Sequence, residues 1–558
     1  MGFALANFLE SNGQKYFIKI SQFYPNYDQA ESEKQFDHCL TQESIHKEKK
    51  YTIYSLFRLF ARHNIPYQIA PIENSNLQNE TLNSLLKHIK PIDFGLLANP
   101  EIKGIKEELA TLPKGDEKIL KLEKLLTSQK VTKQQFLILA IQQLLATAKN
   151  KNWGLCKKHD FIYAFNGQFW EKIEKDLFKQ FLGTSVELMG ISWDLAKYYK
   201  FRDDLLQQFY SEAYLPVPKT SKNKVLINLK NGTFEIGAMG RKLMDFNSAD
   251  FITYQLPFEY APKAKAPLFE KYLDEVLPEI EKQMILAEYL GFVFMKHGNS
   301  TFKEEKALIL YGTGANGKSV FFEVIKALFG ENMSNYSLQS LTDQNGYYRA
   351  SLADKLVNYA SEINGKMEAA IFKQLVSGEP VEARHPYGKP FILTQYAKLI
   401  FNCNELPKDV EHTHAFFRRF LIVPFEVTIP EAKQDKSLHS KIIEGELAGV
   451  FNWVLKGLER LLSQRKFTEC EAVKNAVDQY KTQSDSVKSF IAENNYQKSP
   501  NQYILIKCLY QEYRIFCNDD GLRPVKKGNF KKRLENMGIV TQRKREGNVV
   551  FLEQSLIE

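Results

Sequence analysis

The sequence predicts a multidomain chain of mixed α/β class, with a central domain of parallel strands and flanking helices, a mainly helical N-terminal region and a small C-terminal domain. Three observations carry this. At 558 residues the chain is too long for one hydrophobic core, while 44% apolar and 25% charged residues are close to globular averages. Between residues 306 and 424 four short, continuous apolar runs read as buried strands, the first of them followed by an amphipathic helix. The last 76 residues combine apolar helical periodicity with a basic cluster, in which nine Lys or Arg between Arg523 and Arg545 face one acid, Glu535.

Taken in order, residues 1–75 mix short apolar-periodic stretches with Phe17, Phe23, Tyr24 and Tyr27 and predict a small helical module. Residues 76–150 carry helical periodicity at Ile119, Leu122, Leu125 and Leu126 and predict a helical connector. Residues 151–267 alternate strand-like and helix-like pieces, with Asn166-Gly167 between aromatic runs as a hairpin signal and a helix expected from Lys175. Pro262 and Pro267 mark a linker into residues 268–440, which carry the chemistry. Residues 441–482 predict a helical layer, and residues 483–558 a compact tail.

Gly312-Thr313-Gly314-Ala315-Asn316-Gly317-Lys318-Ser319 matches the G-x-x-x-x-G-K-[ST] pattern, between the apolar run Lys306-Ala-Leu-Ile-Leu-Tyr and a helix with Val320, Phe321, Val324, Ile325 and Leu328 on one face. Glycines let backbone N–H groups wrap phosphates, the helix N-terminus adds a favourable dipole, Lys318 neutralises the terminal phosphates, and the Ser319 hydroxyl suits Mg²⁺. ATP with Mg²⁺ is therefore the expected ligand.

A second apolar run, Lys355-Leu-Val-Asn-Tyr-Ala-Ser, ends in Glu362, where a carboxylate could hold Mg²⁺ or polarise water; alone, the residue also reads as a surface acid. A third, Ala397-Lys-Leu-Ile-Phe-Asn-Cys, delivers Asn404, an amide suited to a γ-phosphate or lytic water, although Asn before a turn is commonplace. Arg418 and Arg419 precede a fourth run, Phe420-Leu-Ile-Val-Pro-Phe, and suit either a phosphate across a subunit boundary or a surface ion pair. Between them, Arg384, His385, Tyr387 and Lys389 place cations and a ring on a tight turn, a combination fitting single-stranded DNA or simply a solvated basic turn.

In this order the motifs resemble the superfamily 3 helicases of viruses, phages and plasmids, especially the phage and poxvirus-type primase-helicases. The resemblance covers Gly312 to Arg419 most specifically. It implies an AAA+ fold with Lys318 and Ser319 as Walker A, Glu362 as Walker B, Asn404 as sensor 1, Arg419 rather than Arg418 as the arginine finger, and Tyr387-Gly388-Lys389 as the tip of a channel hairpin. It further implies a homo-oligomeric ring, such as a hexamer, around DNA. Ser361-Glu362 departs from the two acids many members carry, which leaves Glu362 open to metal binding, base catalysis or both. The flanks agree more weakly: residues 1–75 look like the segment following a primase polymerase domain, and 152–290 like the domain before the poxvirus-type motor.

In the tail, Phe530-Lys531-Lys532-Arg533 and Arg543-Lys544-Arg545 read as a recognition helix and a wing, hence a winged helix for duplex DNA, against the plainer reading of a solvated basic face. Six scattered cysteines lack metal-ligand spacing and read as reduced thiols, and no run is apolar enough for a membrane span, so a cytoplasmic protein is expected. No paired carboxylates suitable for primer synthesis stand out. A separate primase partner or helicase action alone would follow. The competing class is a DNA-dependent ATPase that loads other replication proteins without unwinding.

Overall fold

A computed structural model describes residues 2, 5, 6, 10–22, 27–41, 79–112, 118, 119, 121, 122, 125, 131–158, 161–213, 224–237, 240–297, 302–361, 363, 367–386, 388–407, 410–520, 522 and 524–555. The fold is mixed α/β and divides into two compact units, residues 1–217 and 218–558.

In the first unit, an antiparallel sheet of β1 (Gly154–Lys158), β2 (Phe161–Phe165) and β3 (Trp170–Ile173) packs with helices α1 (Lys133–Asn150), α2 (Lys175–Leu188) and α3 (Tyr199–Glu212). The Asn166 carboxamide accepts from the amides of Gln168 and Phe169, closing the β2–β3 turn. The sequence treats residues 76–150 as a connector, but Leu82, Leu85, Ile141 and Leu144 share one core with Phe178, Phe181 and Phe209. The helices Gln14–Ser21 and Gln29–Thr41 meet in a small cluster around Phe36.

The second unit is built on a five-stranded, all-parallel sheet in the order β13-β7-β12-β9-β8: β7 Ala307–Tyr311, β8 Met333–Ser334, β9 Val357–Ala360, β12 Lys398–Cys403 and β13 Phe420–Pro424. Both faces are covered, which explains the continuous apolar runs. Leu308, Leu310, Tyr359, Ile400 and Val423 face one core, and Ala307, Ile309, Leu399, Phe401 and Ile422 the other. The first core also takes in α4 (Pro267–Val276), α5 (Ile280–Phe292), α6 (Lys318–Phe329), the long α8 (Leu438–Gln464) and an antiparallel sheet of β4 (Lys224–Leu229), β5 (Gly232–Gly237) and β6 (Gly240–Met244). Val225, Ile227 and Phe234, which precede the expected boundary at 267, share this core with the phosphate-loop helix.

Helices α5 and α8 approach closely because each presents a glycine. A Cβ on Gly457 would strike the Ala287 backbone, and one on Gly291 would lie 2.7–2.8 Å from Leu458. Polar locks hold the same layer. The Glu446 carboxylate accepts from the amides of Leu268 and Phe269, both at 3.0 Å, capping the start of α4. Buried Glu288 accepts from Arg460 and from the Thr468 amide and hydroxyl.

On the other face lie α7 (Ala369–Ser377), the short helix His414–Phe417 and α9 (Glu471–Gln483). A ribbon of β10 (Val381–Ala383) and β11 (Phe391–Leu393) stands beside the sheet. The tail has its own core around Phe490, Tyr513 and Phe530, made by α10 (Ser486–Glu493), α11 (Ile506–Asp519), α12 (Lys527–Asn536) and the antiparallel hairpin β14 (Thr541–Lys544) and β15 (Gly547–Val550). No helix among the described residues is long and apolar enough to cross a membrane.

Candidate nucleotide site

The loop after β7 carries three left-handed residues, Gly314 (φ +123°), Ala315 (+49°) and Gly317 (+83°), the interleaved backbone pattern of an anion-binding nest. Gly314 needs its freedom for φ alone, since a Cβ there would meet nothing within 4 Å. Gly312 is required for space: its Cβ would run into the Asn316 amide, the Phe425 carbonyl and the Lys318 ammonium. Holding Ala315 left-handed costs about 1–2 kcal/mol, and the surrounding bonds offset it.

Those bonds come from four directions. The Gly312 amide donates to Cys403 O (3.1 Å), the Tyr272 hydroxyl to Gly317 O (2.8 Å), the Asn316 amide nitrogen to Phe425 O (3.2 Å) and the Ile429 amide to Ala315 O (2.8 Å). The loop is thereby fixed in advance, while Thr313, Gly314, Ala315 and Ser319 remain exposed. Tyr272 was not among the expected site residues, and it lies 45 positions upstream with no motif around it.

Lys318 opens α6 and is buried. Its ammonium donates to Gly312 O (2.6 Å) and Asn316 Oδ1 (3.0 Å). Desolvation pulls its pKa below the ordinary lysine value, so its charge is under-compensated and ready for an anion. The neighbouring Cys403 thiol is pushed up to about 12 by burial and stays neutral.

Because β7 and β12 are parallel and Cys403 pairs with Tyr311, the next residue of that strand, Asn404, emerges beside the loop and is exposed. Just inside it, buried Asn402 accepts from the Tyr359 hydroxyl on β9 (2.8 Å), tying the two strands. Glu362 follows β9 and lies outside the described residues, as does Tyr387. Among the described residues no cluster of three His, Cys, Asp or Glu stands ready for a metal.

The two arginines lie at the opposite edge of the sheet. The Ala307 amide, at the start of β7, donates to Arg419 O (2.8 Å), so the length of β7, about 13 Å, separates them from the loop. Their exposures differ. The Arg419 side chain is 8% exposed and donates to Ser377 Oγ (2.8 and 3.2 Å), to Ala415 O and to Glu305 (3.2 Å). The Arg418 side chain is 51% exposed and makes a surface ion pair with Glu305 (2.8 Å).

The basic candidates also sort themselves. Exposed His385 and Lys389 sit on the β10–β11 connection, but Arg384 is held under it, donating to the Tyr347 hydroxyl (3.0 Å) with its guanidinium 5.0 Å from that ring. In the tail, Lys532, Arg543 and Arg545 are exposed, whereas Arg533 turns inward to Asp485 (2.9 Å). Lys531 lies 3.6 Å from Glu535, and Lys544 covers the Tyr503 ring at 3.5 Å.

Residues 142–278 match a family model described as "D5 N terminal like", and residues 310–419 one described as "Family of unknown function (DUF5906)". The chain is 24% identical over 235 residues to "Putative helicase L207/L206" of Acanthamoeba polyphaga mimivirus, covering 40% of this chain and 24% of that protein. It is 25% identical over 346 residues to "Putative helicase 184R" of Invertebrate iridescent virus 6, covering 53% and 35% respectively. The matches thus span only about a quarter to a third of the length of these relatives. A solved structure titled "The A form apo structure of NrS-1 C terminal region-CTR(305-718)" aligns over 75% of this chain and 99% of that one, at 14% identity and a TM-score of 0.41. The chain is thus similar, over parts of its length, to a D5 N-terminal-like region and to viral proteins named as helicases.

Proposed function

We propose that this chain is an ATP-hydrolysing DNA helicase motor of the superfamily 3, AAA+ type, working as a ring of copies, with a hexamer the expected count. The observation that carries this is the preformed loop at Gly312–Ser319, with the Lys318 ammonium buried inside it and its outer residues exposed at the carboxyl edge of a parallel sheet. An anion offers that ammonium a full counter-charge in place of two neutral oxygens. Ser319 and Glu362 would hold Mg²⁺, which supplies charge neutralisation at the phosphates. Asn404 emerges where an amide can orient water at the terminal phosphate.

The arginines sit too far from the loop of their own chain to serve it, which favours action across a subunit boundary. Between the two, exposed Arg418 is the better donor and Arg419 the anchor. DNA would meet Lys389 and His385 on the β10–β11 connection, and duplex would meet Lys532, Arg543 and Arg545 in a winged-helix tail.

The test is strand displacement on a forked duplex with ATP and Mg²⁺. Displacement that requires hydrolysis is expected. DNA-stimulated hydrolysis with no displacement would overturn the helicase reading in favour of a loader.

A further inference from the structure

Six aromatic side chains are conspicuously exposed among the described residues, Tyr16, Trp193, Tyr198, Tyr199, Tyr348 and Tyr503, and three of them fall within residues 193–199. Trp193 is 54% exposed, Tyr198 45% and Tyr199 63%. Three large rings in water within seven residues forgo several kcal/mol of burial, which an isolated fold does not require.

The backbone beneath them is firmly held. The short helix Trp193–Lys197 ends at Tyr198 (φ −69°, ψ 122°), and α3 starts at Tyr199, making an elbow. Ala196 and Phe201 on its underside are fully buried, and Arg202 donates to Ala196 O at 3.0 Å. Gly183 of α2 leaves room for that guanidinium, which a Cβ would strike. The rings therefore stand outward on a rigid support.

Cations are interleaved with them. The Lys197 ammonium lies 5.8 Å from the Trp193 ring centre and that of Lys200 6.0 Å from Tyr199, while Tyr198 and Tyr199 meet edge to face at 5.2 Å. Of the nearby acids, Asp194 is exposed on the elbow itself, whereas Asp203 is paired with Lys179 (2.7 Å) and Asp204 with Lys133 (2.6 Å). The outer face thus offers π-surfaces and two exposed lysines against one exposed acid, with no exposed Leu, Ile or Val among residues 193–200 to suit an aliphatic partner.

We propose that this elbow is a stacking platform for single-stranded nucleic acid, with bases on Trp193, Tyr198 and Tyr199 and phosphates beside Lys197 and Lys200. The chemistry is that of sequence-tolerant single-strand binding, in which rings supply affinity and lysines follow the backbone. The inference rests on the preceding reading only in taking nucleic acid as the ligand, and it needs no nucleotide hydrolysis.

The experiment titrates the full chain, without nucleotide, with oligothymidylate, oligouridylate and a blunt duplex, following tryptophan fluorescence and anisotropy. Of the four tryptophans, Trp170 is buried, Trp153 and Trp453 are half-buried and Trp193 is exposed. Single strands should quench its emission, and Trp193→Phe should abolish that quench while holding affinity within about twofold, because phenylalanine still stacks. Trp193→Ala and Tyr199→Ala should each weaken single-strand binding by about 5- to 150-fold with an unchanged thermal midpoint. Lys197→Gln should flatten the salt slope by about 0.7. Tighter binding of either oligomer supports the platform and names its source as DNA or RNA. Single-strand affinity unchanged in both alanine variants, duplex affinity lowered by those variants as much as single-strand affinity, or loss of self-association in sedimentation with intact oligonucleotide binding would overturn it. A dead ATPase with these binding results intact would count against the motor reading alone.

Discussion

Replacing each arginine ahead of β13 by alanine should have opposite consequences. Arg419→Ala removes a buried guanidinium and strips Ser377 Oγ, Ala415 O and one side of Glu305 of their donor. Glu305 keeps Lys303 (2.6 Å) and Arg418 (2.8 Å), so the loss falls at the lower end for a broken buried pair, about 2–4 kcal/mol. In urea, with a slope near 3 kcal/mol per molar, the unfolding midpoint should drop by about 1 M. Arg418→Ala breaks only a half-exposed pair, worth about 0–1 kcal/mol, and should leave the midpoint nearly unmoved. Its effect should appear in ATP turnover, where a guanidinium supplied by a neighbouring subunit contributes roughly 10³–10⁵. Mixing Arg418→Ala chains with Lys318→Ala chains should then restore partial turnover at interfaces pairing an intact loop with an intact arginine. An Arg419→Ala protein as stable as its parent, or an Arg418→Ala protein hydrolysing ATP normally, would refute this division of roles.

Gly317→Ala should destabilise the second unit by about 1–3 kcal/mol and abolish ATP-induced thermal stabilisation, because φ is +83° and the new Cβ would lie 2.7 Å from Val276; a melting curve with and without ATP checks both. The His297–Lys398 contact (2.9 Å) should make stability pH-dependent. Burial, with Lys398 alongside, holds His297 down at about 3, and burial lowers Lys398 to about 7. The unfolded chain therefore takes up protons that the folded one refuses, and stability falls as pH drops from 10.5 to about 7 and again from 6.5 to about 3. Lys398→Met should remove the first slope and shrink the second in denaturant titrations run across pH. In the tail, Arg533→Ala should lower stability by about 1–3 kcal/mol through loss of Asp485, whereas Arg543→Ala with Arg545→Ala should leave stability alone and reduce the salt slope of duplex binding by about 2.

The sheet was legible because strands buried on both faces read as continuous apolar runs, and the loop because its glycines answer to φ and space that no other residue meets. Side-chain facing was not legible. Arg418 and Arg419 are identical neighbours, and only the position of Ser377 on a distant helix decides which is sunk. Arg533 shares a basic run with Lys531 and Lys532, and nothing local shows that it meets Asp485, 48 residues upstream. The boundary near residue 217 was hidden because β4–β6 carry no sign of which core they join. The run Trp193-Asp-Leu-Ala-Lys-Tyr-Tyr-Lys was in plain view, but helical periodicity gave no hint that its rings point outward.

The most direct test of the central claim is Mg²⁺-dependent ATP hydrolysis by the purified chain beside Lys318→Ala, with and without single-stranded DNA. The parent should hydrolyse ATP, faster with DNA, and the folded variant should be inactive in both conditions. Hydrolysis by Lys318→Ala at the parental rate, or none by the parent under any condition, would contradict the account.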